Sequence, residues 1–274
     1  MPVEHYENFP VASWVMPARF RPSVVAVYHF ARSADDFADE GNLTATERLG
    51  HLAAYRAGLQ AISRGETPEH PVLGPLAAVI RRHAIPLDLF TDLLSAFEQD
   101  VTVTRYATYA DLADYCRRSA NPIGRILLHI FDAASPRNLA YSDGICSALQ
   151  LINFWQDIAV DWAKGRVYLP QEDLARFSVS DAQIAQGAVG GNWSALLDFQ
   201  IDRARRLLQA GAPLGRALGG RLGIEIRLIV LGGEAVLRKL HAARGDVFRH
   251  RPTVGWRDLL AALPRALFGH DPQT

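Results

Sequence analysis

No stretch of this sequence reaches about 18 uninterrupted apolar residues, the length a helix needs to cross a bilayer, so no membrane span is expected. Cysteine is nearly missing. Cys116 and Cys146 cannot build a disulfide framework, are expected to pack as small buried hydrophobes, and point to a reducing cytoplasm. Net charge is missing as well: 29 basic residues balance 29 acidic ones, so no global field draws nucleic acid, and none is expected as a partner. Met1–Pro10 lacks the basic-then-apolar order of a secretory leader, and none is expected. The period-two pattern of a half-buried strand is almost absent; "QDVTVTRYAT" comes nearest and is short. Cys-x-x-Cys, His-Glu-x-x-His and a phosphate loop do not occur, nor does the Glu-x-x-His of a di-iron bundle. The sole His-Asp pair, His270-Asp271, lies in the tail. Of the metal chemistries, ligation by Asp and Asn oxygens remains.

What is present is helical pattern over 274 residues, enough for one large domain with a sizeable core. "LTATERLGHLAAYRAGLQAISRG" opens with Thr44 and Glu47 in capping-box spacing and stops at Gly65. "PVLGPLAAVIRRHAI" and "PLDLFTDLLSAFEQDV" each start at proline and repeat apolar residues at helical spacing. "YADLADYCRRSA" is expected to break at Asn121-Pro122. "SDGICSALQLINFWQDIAVDWAKG" reads as one long helix followed by an extended Tyr168-Leu169-Pro170 exit. "WSALLDFQIDRARRLLQAG" ends before Pro213, and "RLGIEIRLIVLGGEAVLRKLHAARG" is an apolar helix weakened at Gly232-Gly233. Element spacing near ~25 residues with short connections predicts a single all-α domain, residues 1–274, of roughly ten helices.

Two helices carry acid. Residues 35–40 read Asp-Asp-Phe-Ala-Asp-Glu, with Asp35 and Asp39 four apart, Arg32 one turn earlier, and Asp36 and Glu40 on the neighbouring face. The long helix carries Asn153, Asp157 and Asp161, each step advancing about 40° around the axis and about 6 Å along it, so the three form one stripe. Either stripe alone reads more readily as a solvated acidic face than as a metal site. The second is flanked by Leu149, Leu151, Ile152, Phe154, Trp155 and Ile158, so its helix should be mostly buried, and buried carboxylates need counter-charge. Mg²⁺, held by a few carboxylates together with substrate phosphates and water, would meet that need.

"YHFARSADDFADE" followed by "QLINFWQDIAVDWAKGRVYLP" resembles the two aspartate-rich motifs of the squalene/phytoene synthase family, from about His5 to Arg251. That resemblance implies the all-α isoprenoid-synthase fold, a helical bundle around a central cavity, and a prenyl diphosphate substrate. It implies Mg²⁺ ligation by Asp35, Asp39, Asn153, Asp157 and Asp161. Arg32 and Tyr28 match positions that contact diphosphate or prenyl chain, and Gln150 a substrate-contacting glutamine. His5 and Phe9 fall where a flap closes over substrate; Arg166, Tyr168 and Tyr115 match basic and aromatic cavity positions. "ENFPVASWVMP" and "YCRRSANPIGR" resemble most the branch of bacterial hydroxysqualene synthases, which convert presqualene diphosphate and water to hydroxysqualene and diphosphate.

The departures from the family pattern are compatible with one half-reaction rather than two. Gln156 stands where many relatives have Arg, Asn121-Pro122 where they commonly have Gly, and Gly232-Gly233 near an expected late tyrosine. Asn121 is either a helix cap or the residue holding the water that quenches the final cation. The alternatives are a complete head-to-head synthase acting on farnesyl or longer prenyl diphosphate, and a non-catalytic relative acting as an assembly factor. Pathway-enzyme partners and peripheral membrane contact are left open by the apolar substrate.

Overall fold

The computed structural model describes residues 16–39 and 41–268; His5, Phe9, Glu40 and most of "ENFPVASWVMP" lie outside the described residues. Among the described residues there are fourteen α-helices and no strand, so the all-α expectation holds. The one strand-like sequence contributes an isolated parallel bridge between Arg105 and Val167. No helix among the described residues is long and apolar enough to cross a membrane.

The chain forms two compact units. The first, within residues 16–103 and 117–139, holds α1 (Arg21–Asp39), α2 (Ala45–Ser63), α3 (Leu73–His83) and α4 (Asp88–Asp100). It also takes the last turn of α5 (Tyr109–Ser119), and α6 (Asn121–Ile130). Helix α1 buries Val24, Val27, Phe30, Ala34 and Ala38, steps of three and four that make one stripe. Phe30 is fully buried, edge-on to Phe90 at 5.4 Å between ring centres, and aromatic pairs of this geometry add about 0.5–1.5 kcal/mol beyond burial. The exit of α1 is stitched by Arg48 of α2, whose guanidinium donates to the carbonyls of Phe37, Gly41 and Leu43. Thr44 and Glu47 form the expected capping box. The break at Asn121-Pro122 is also present, but Asn121 opens α6 rather than capping the end of α5, and proline suits that first turn because its missing N–H is not needed there.

His83 Nε2 lies 3.0 Å from the buried Ser23 hydroxyl. Burial holds the His83 imidazole below its ordinary value of 6.5, helped by Arg82; burial does the same for His129, where Asp88 partly offsets it. The unfolded chain therefore takes up these protons first. The stability they contribute is complete above pH 6.5 and is lost as pH falls from there toward the folded values. Urea unfolding midpoints should drop between about pH 7.5 and about pH 5.5, and His83→Gln should make that drop shallower.

The second unit, within residues 104–116 and 140–268, takes most of α5 and of α7 (Pro136–Gln156). Four short helices belong to it: α8 (Ile158–Ala163), α9 (Gln171–Arg176), α10 (Asp181–Ala185) and α12 (Leu214–Leu218). So do three long ones, α11 (Trp193–Gly211), α13 (Gly220–Ala242) and α14 (Trp256–Phe268). Trp155 and Trp193 are its largest fully buried side chains, and Trp193 donates its indole N–H to the Gly245 carbonyl at 2.9 Å. The expected weakness at Gly232-Gly233 is not realised: α13 runs through it. A Cβ on Gly233 would meet Leu208, Leu149 and Ile152 at 3.0–3.4 Å, so the glycine lets α13 lie close on α7 and α11. The single long helix expected for residues 142–165 starts earlier, at Pro136, and divides at Asp157. Two tethers from residues 251–252, onto the side chains of Gln156 and Asp157, act where the helix divides.

Candidate active site

On α1 the sequence spacing 28, 32, 35, 39 puts Tyr28, Arg32, Asp35 and Asp39 on one face, all half-buried. That face borders the buried stripe, which fixes its direction. Arg32 pairs with Asp35 at 3.4 Å and with Asp36 at 2.7 Å, so one guanidinium offsets two neighbouring carboxylates. Asn121, 6% exposed, belongs to the same unit.

The second stripe lies in the other unit. Gln150, Asn153, Asp157 and Asp161 are half-buried, while Leu151, Ile152, Phe154, Trp155, Gln156 and Ile158 beside them are buried. The backbone at Asp157 leaves the helical region, with φ −103° and ψ 9°. Even so, Asp157 N–H donates to the Asn153 carbonyl at 2.9 Å and Asp161 N–H to the Asp157 carbonyl at 2.7 Å. The hydrogen-bond ladder thus stays continuous along the acidic stripe while the helix bends. The carboxylate of Asp157 makes no cap bond to α8; both its oxygens accept from Arg251, with Nη2 at 3.0 Å.

Beyond the stripe the chain turns at Gly165, where φ is +76°, and Arg166 N–H returns to the Asp161 carbonyl at 2.8 Å. A small pocket is lined by Asp161, Arg166, Tyr168, Phe154 and Ile158 among others. Phe154 and Tyr168 stack at 3.8 Å and 7°, and Tyr115 and Tyr106 close the group at 5.4–6.2 Å. Two aromatics expected from the resemblance, Tyr115 and Tyr168, are thus joined to the acidic stripe through Phe154. Helix α13 adds apolar surface. From Ile224 to Leu231 its side chains are all half-exposed and mostly Ile, Leu and Val, whereas Ala235, Val236, Leu237 and Leu240 are buried. Burial pushes the Cys116 thiol up to about 12, so it is no nucleophile.

The expected ligands are hard oxygen donors: four carboxylates and one amide. No three His, Cys, Asp or Glu side chains among the described residues converge into a cage. Mg²⁺ takes one or two carboxylates per site and completes its shell with phosphate oxygens and water, so a donor set made only of oxygens suits it. Tyr106 and Arg251 were missed in the sequence. Tyr106 sits in the segment nearest to a strand pattern, and Arg251 is 94 positions from its partner, so no local periodicity marks either.

The family model for squalene/phytoene synthase matches residues 3–258. A hydroxysqualene synthase of Rhodopseudomonas palustris is 35% identical over 238 residues, covering 85% of this chain and 79% of that protein. A phytoene synthase of Mycobacterium tuberculosis is 34% identical over 210 residues, covering 76% and 68%. The crystal structure of the squalene synthase HpnC from Alicyclobacillus acidocaldarius superposes with a TM-score of 0.81 at 35% identity, covering 88% of this chain and 90% of that one. Helix content and sequence matches over most of the length agree: the chain belongs to the squalene/phytoene synthase family, whose members process prenyl diphosphates.

Proposed function

We propose that this protein is a hydroxysqualene synthase, converting presqualene diphosphate and water to hydroxysqualene and diphosphate. The observation that carries this reading is the half-buried Asn153–Asp157–Asp161 stripe held against the Phe154–Tyr168–Tyr115 aromatic group in one unit. Anion-handling and cation-tolerant surfaces are thereby adjacent.

Asp35, Asp39, Asn153, Asp157 and Asp161 are the residues that would hold Mg²⁺. When bound, the metal supplies Lewis-acid stabilisation of charge on the departing diphosphate. Arg32 and Arg166 would donate to diphosphate oxygens, and Gln150 and Tyr28 would contact the substrate. The carbon–oxygen bond breaks with its electron pair leaving on diphosphate. The cyclopropylcarbinyl cation rearranges against the faces of Tyr115 and Tyr168, where ring quadrupoles favour positive charge. The half-exposed Ile and Leu side chains of α13 keep bulk water from the hydrocarbon. Asn121 holds the one water whose oxygen adds to the final cation; that water then loses a proton. No hydride is consumed, so no nicotinamide is required.

A second reading, a complete head-to-head synthase taking farnesyl diphosphate, draws support from the phytoene synthase that is 34% identical. Purified protein supplied with presqualene diphosphate or farnesyl diphosphate, each with and without NADPH, separates the two. A hydroxylated product from presqualene diphosphate without NADPH is the expected result. Conversion of farnesyl diphosphate to a thirty-carbon product overturns the assignment.

A further inference from the structure

The segment 251–255, which leads into α14, is pinned at several points within its own unit. Arg251 donates through Nε and Nη2 to the two oxygens of Asp157. The neighbouring Gln156 side-chain amide donates to the Pro252 carbonyl, and Gln156 itself is 1% exposed. Lys239 of α13 donates to the Thr253 carbonyl at 2.8 Å and pairs with Asp258, whose carboxylate also accepts from Gly255 N–H at 2.7 Å. Two consecutive residues of the stripe helix thus grip two consecutive residues of a strap.

The pair is well made. Arg251 is 19% exposed and Asp157 25%, so water screens it less than a surface pair, and the planar fork engages both carboxylate oxygens. A divalent cation ligated by the same oxygens would sit about 2.1 Å from them. Its charge would then face the guanidinium at short range across a single carboxylate, and like charges repel strongly at that separation. Ligation of a cation by these oxygens therefore weakens the fork, and the guanidinium and the cation compete for the carboxylate.

We propose that Arg251 is a counter-ion latch. It neutralises Asp157 when no divalent cation is bound, and it releases the carboxylate when one binds, so that metal loading frees the Arg251 side chain while Gln156, Lys239 and Asp258 still hold residues 252–255. The inference rests on the reading of Asp157 as a metal ligand. The positive charge facing the stripe comes from a distant loop, and Gln156 anchors that loop by its backbone.

The test uses the full chain and Mn²⁺ alone as the binding probe, with bound ion read by electron paramagnetic resonance. Arg251→Gln should bind Mn²⁺ about tenfold more tightly than the unaltered protein, which is about 1.4 kcal/mol. Arg251→Lys should fall between the two, and Gln156→Met, which leaves Arg251 but loosens its anchor, should shift affinity the same way by less. Hydrogen exchange at the Arg251 Nε–H, which donates to Asp157, should rise when Mg²⁺ is added to the unaltered protein. Unchanged or weaker binding in Arg251→Gln and Gln156→Met, with Mn²⁺ binding lost in Asp157→Asn, overturns the latch and leaves the metal assignment standing. Mn²⁺ binding by Asp157→Asn equal to that of the unaltered protein overturns both. Should Arg251→Gln fail to fold, Gln156→Met and the exchange measurement decide alone.

Discussion

Asp157→Asn is expected to lower turnover of the proposed substrate, presqualene diphosphate, by about a hundred- to a thousand-fold, the scale seen when one preorganised electrostatic contact to developing charge is removed. Asparagine keeps the shape of the side chain and can still accept from Arg251 through its carbonyl oxygen, but it carries no charge for a divalent cation. Stability should change by only about 1 kcal/mol, because both members of the Arg251 pair keep some contact with water. The backbone ladder from Asn153 to Asp161 does not depend on the carboxylate, so helix content should persist. Steady-state rates, circular dichroism and urea unfolding on the same preparation give the answer. Asp202→Asn on α11, an exposed carboxylate paired locally with Arg205, serves as the control and should leave turnover close to that of the unaltered protein. Turnover that survives in Asp157→Asn would reject the second stripe as the metal-holding wall.

The features most legible in the sequence were those written in nearest neighbours along the chain. The capping box at Thr44 and Glu47 needs three residues, and the break at Asn121-Pro122 needs two. The burial around Asn153 and Asp157 followed from apolar residues on nearly every side of that helix. Helices α8, α9, α10 and α12 are five or six residues long, under two turns, so no period could establish them, and against roughly ten expected helices the described residues hold fourteen. Gly232-Gly233 looked like a weak point because propensity counts only the isolated helix, whereas contact with Leu208, Leu149 and Ile152 outweighs it. The bend at Asp157 was hidden for a related reason. Its tethers come from residues 251 and 252, and nothing near Gln156 encodes them.

A second large effect lies far from any charged group. Helices α7 and α11 approach so closely that a Cβ on Gly211 would meet the Tyr141 carbonyl oxygen at 2.5 Å, Ile145 Cγ1 at 2.6 Å and Ile145 N at 2.8 Å. Two of those three atoms are backbone and cannot rotate away. Across the same contact, Gly144 has room for a Cβ only at 3.0 Å from the Leu207 carbonyl. Gly211→Ala must therefore separate the helices, and overpacking against fixed backbone costs about 3 kcal/mol or more, the upper end of such substitutions. Gly50→Ala in α2 makes the chemically identical change where a Cβ meets nothing within 4 Å, and it should stabilise by up to about 1 kcal/mol. The contrast isolates packing from helix propensity. Because α7 also carries Asn153, and α8 follows it through Asp157, Gly211→Ala should depress turnover further than its stability loss alone explains. Urea midpoints and rates for the two variants, measured side by side, check both parts. A Gly211→Ala protein within about 0.5 kcal/mol of the unaltered one would mean that the α7–α11 contact is looser than the structure has it.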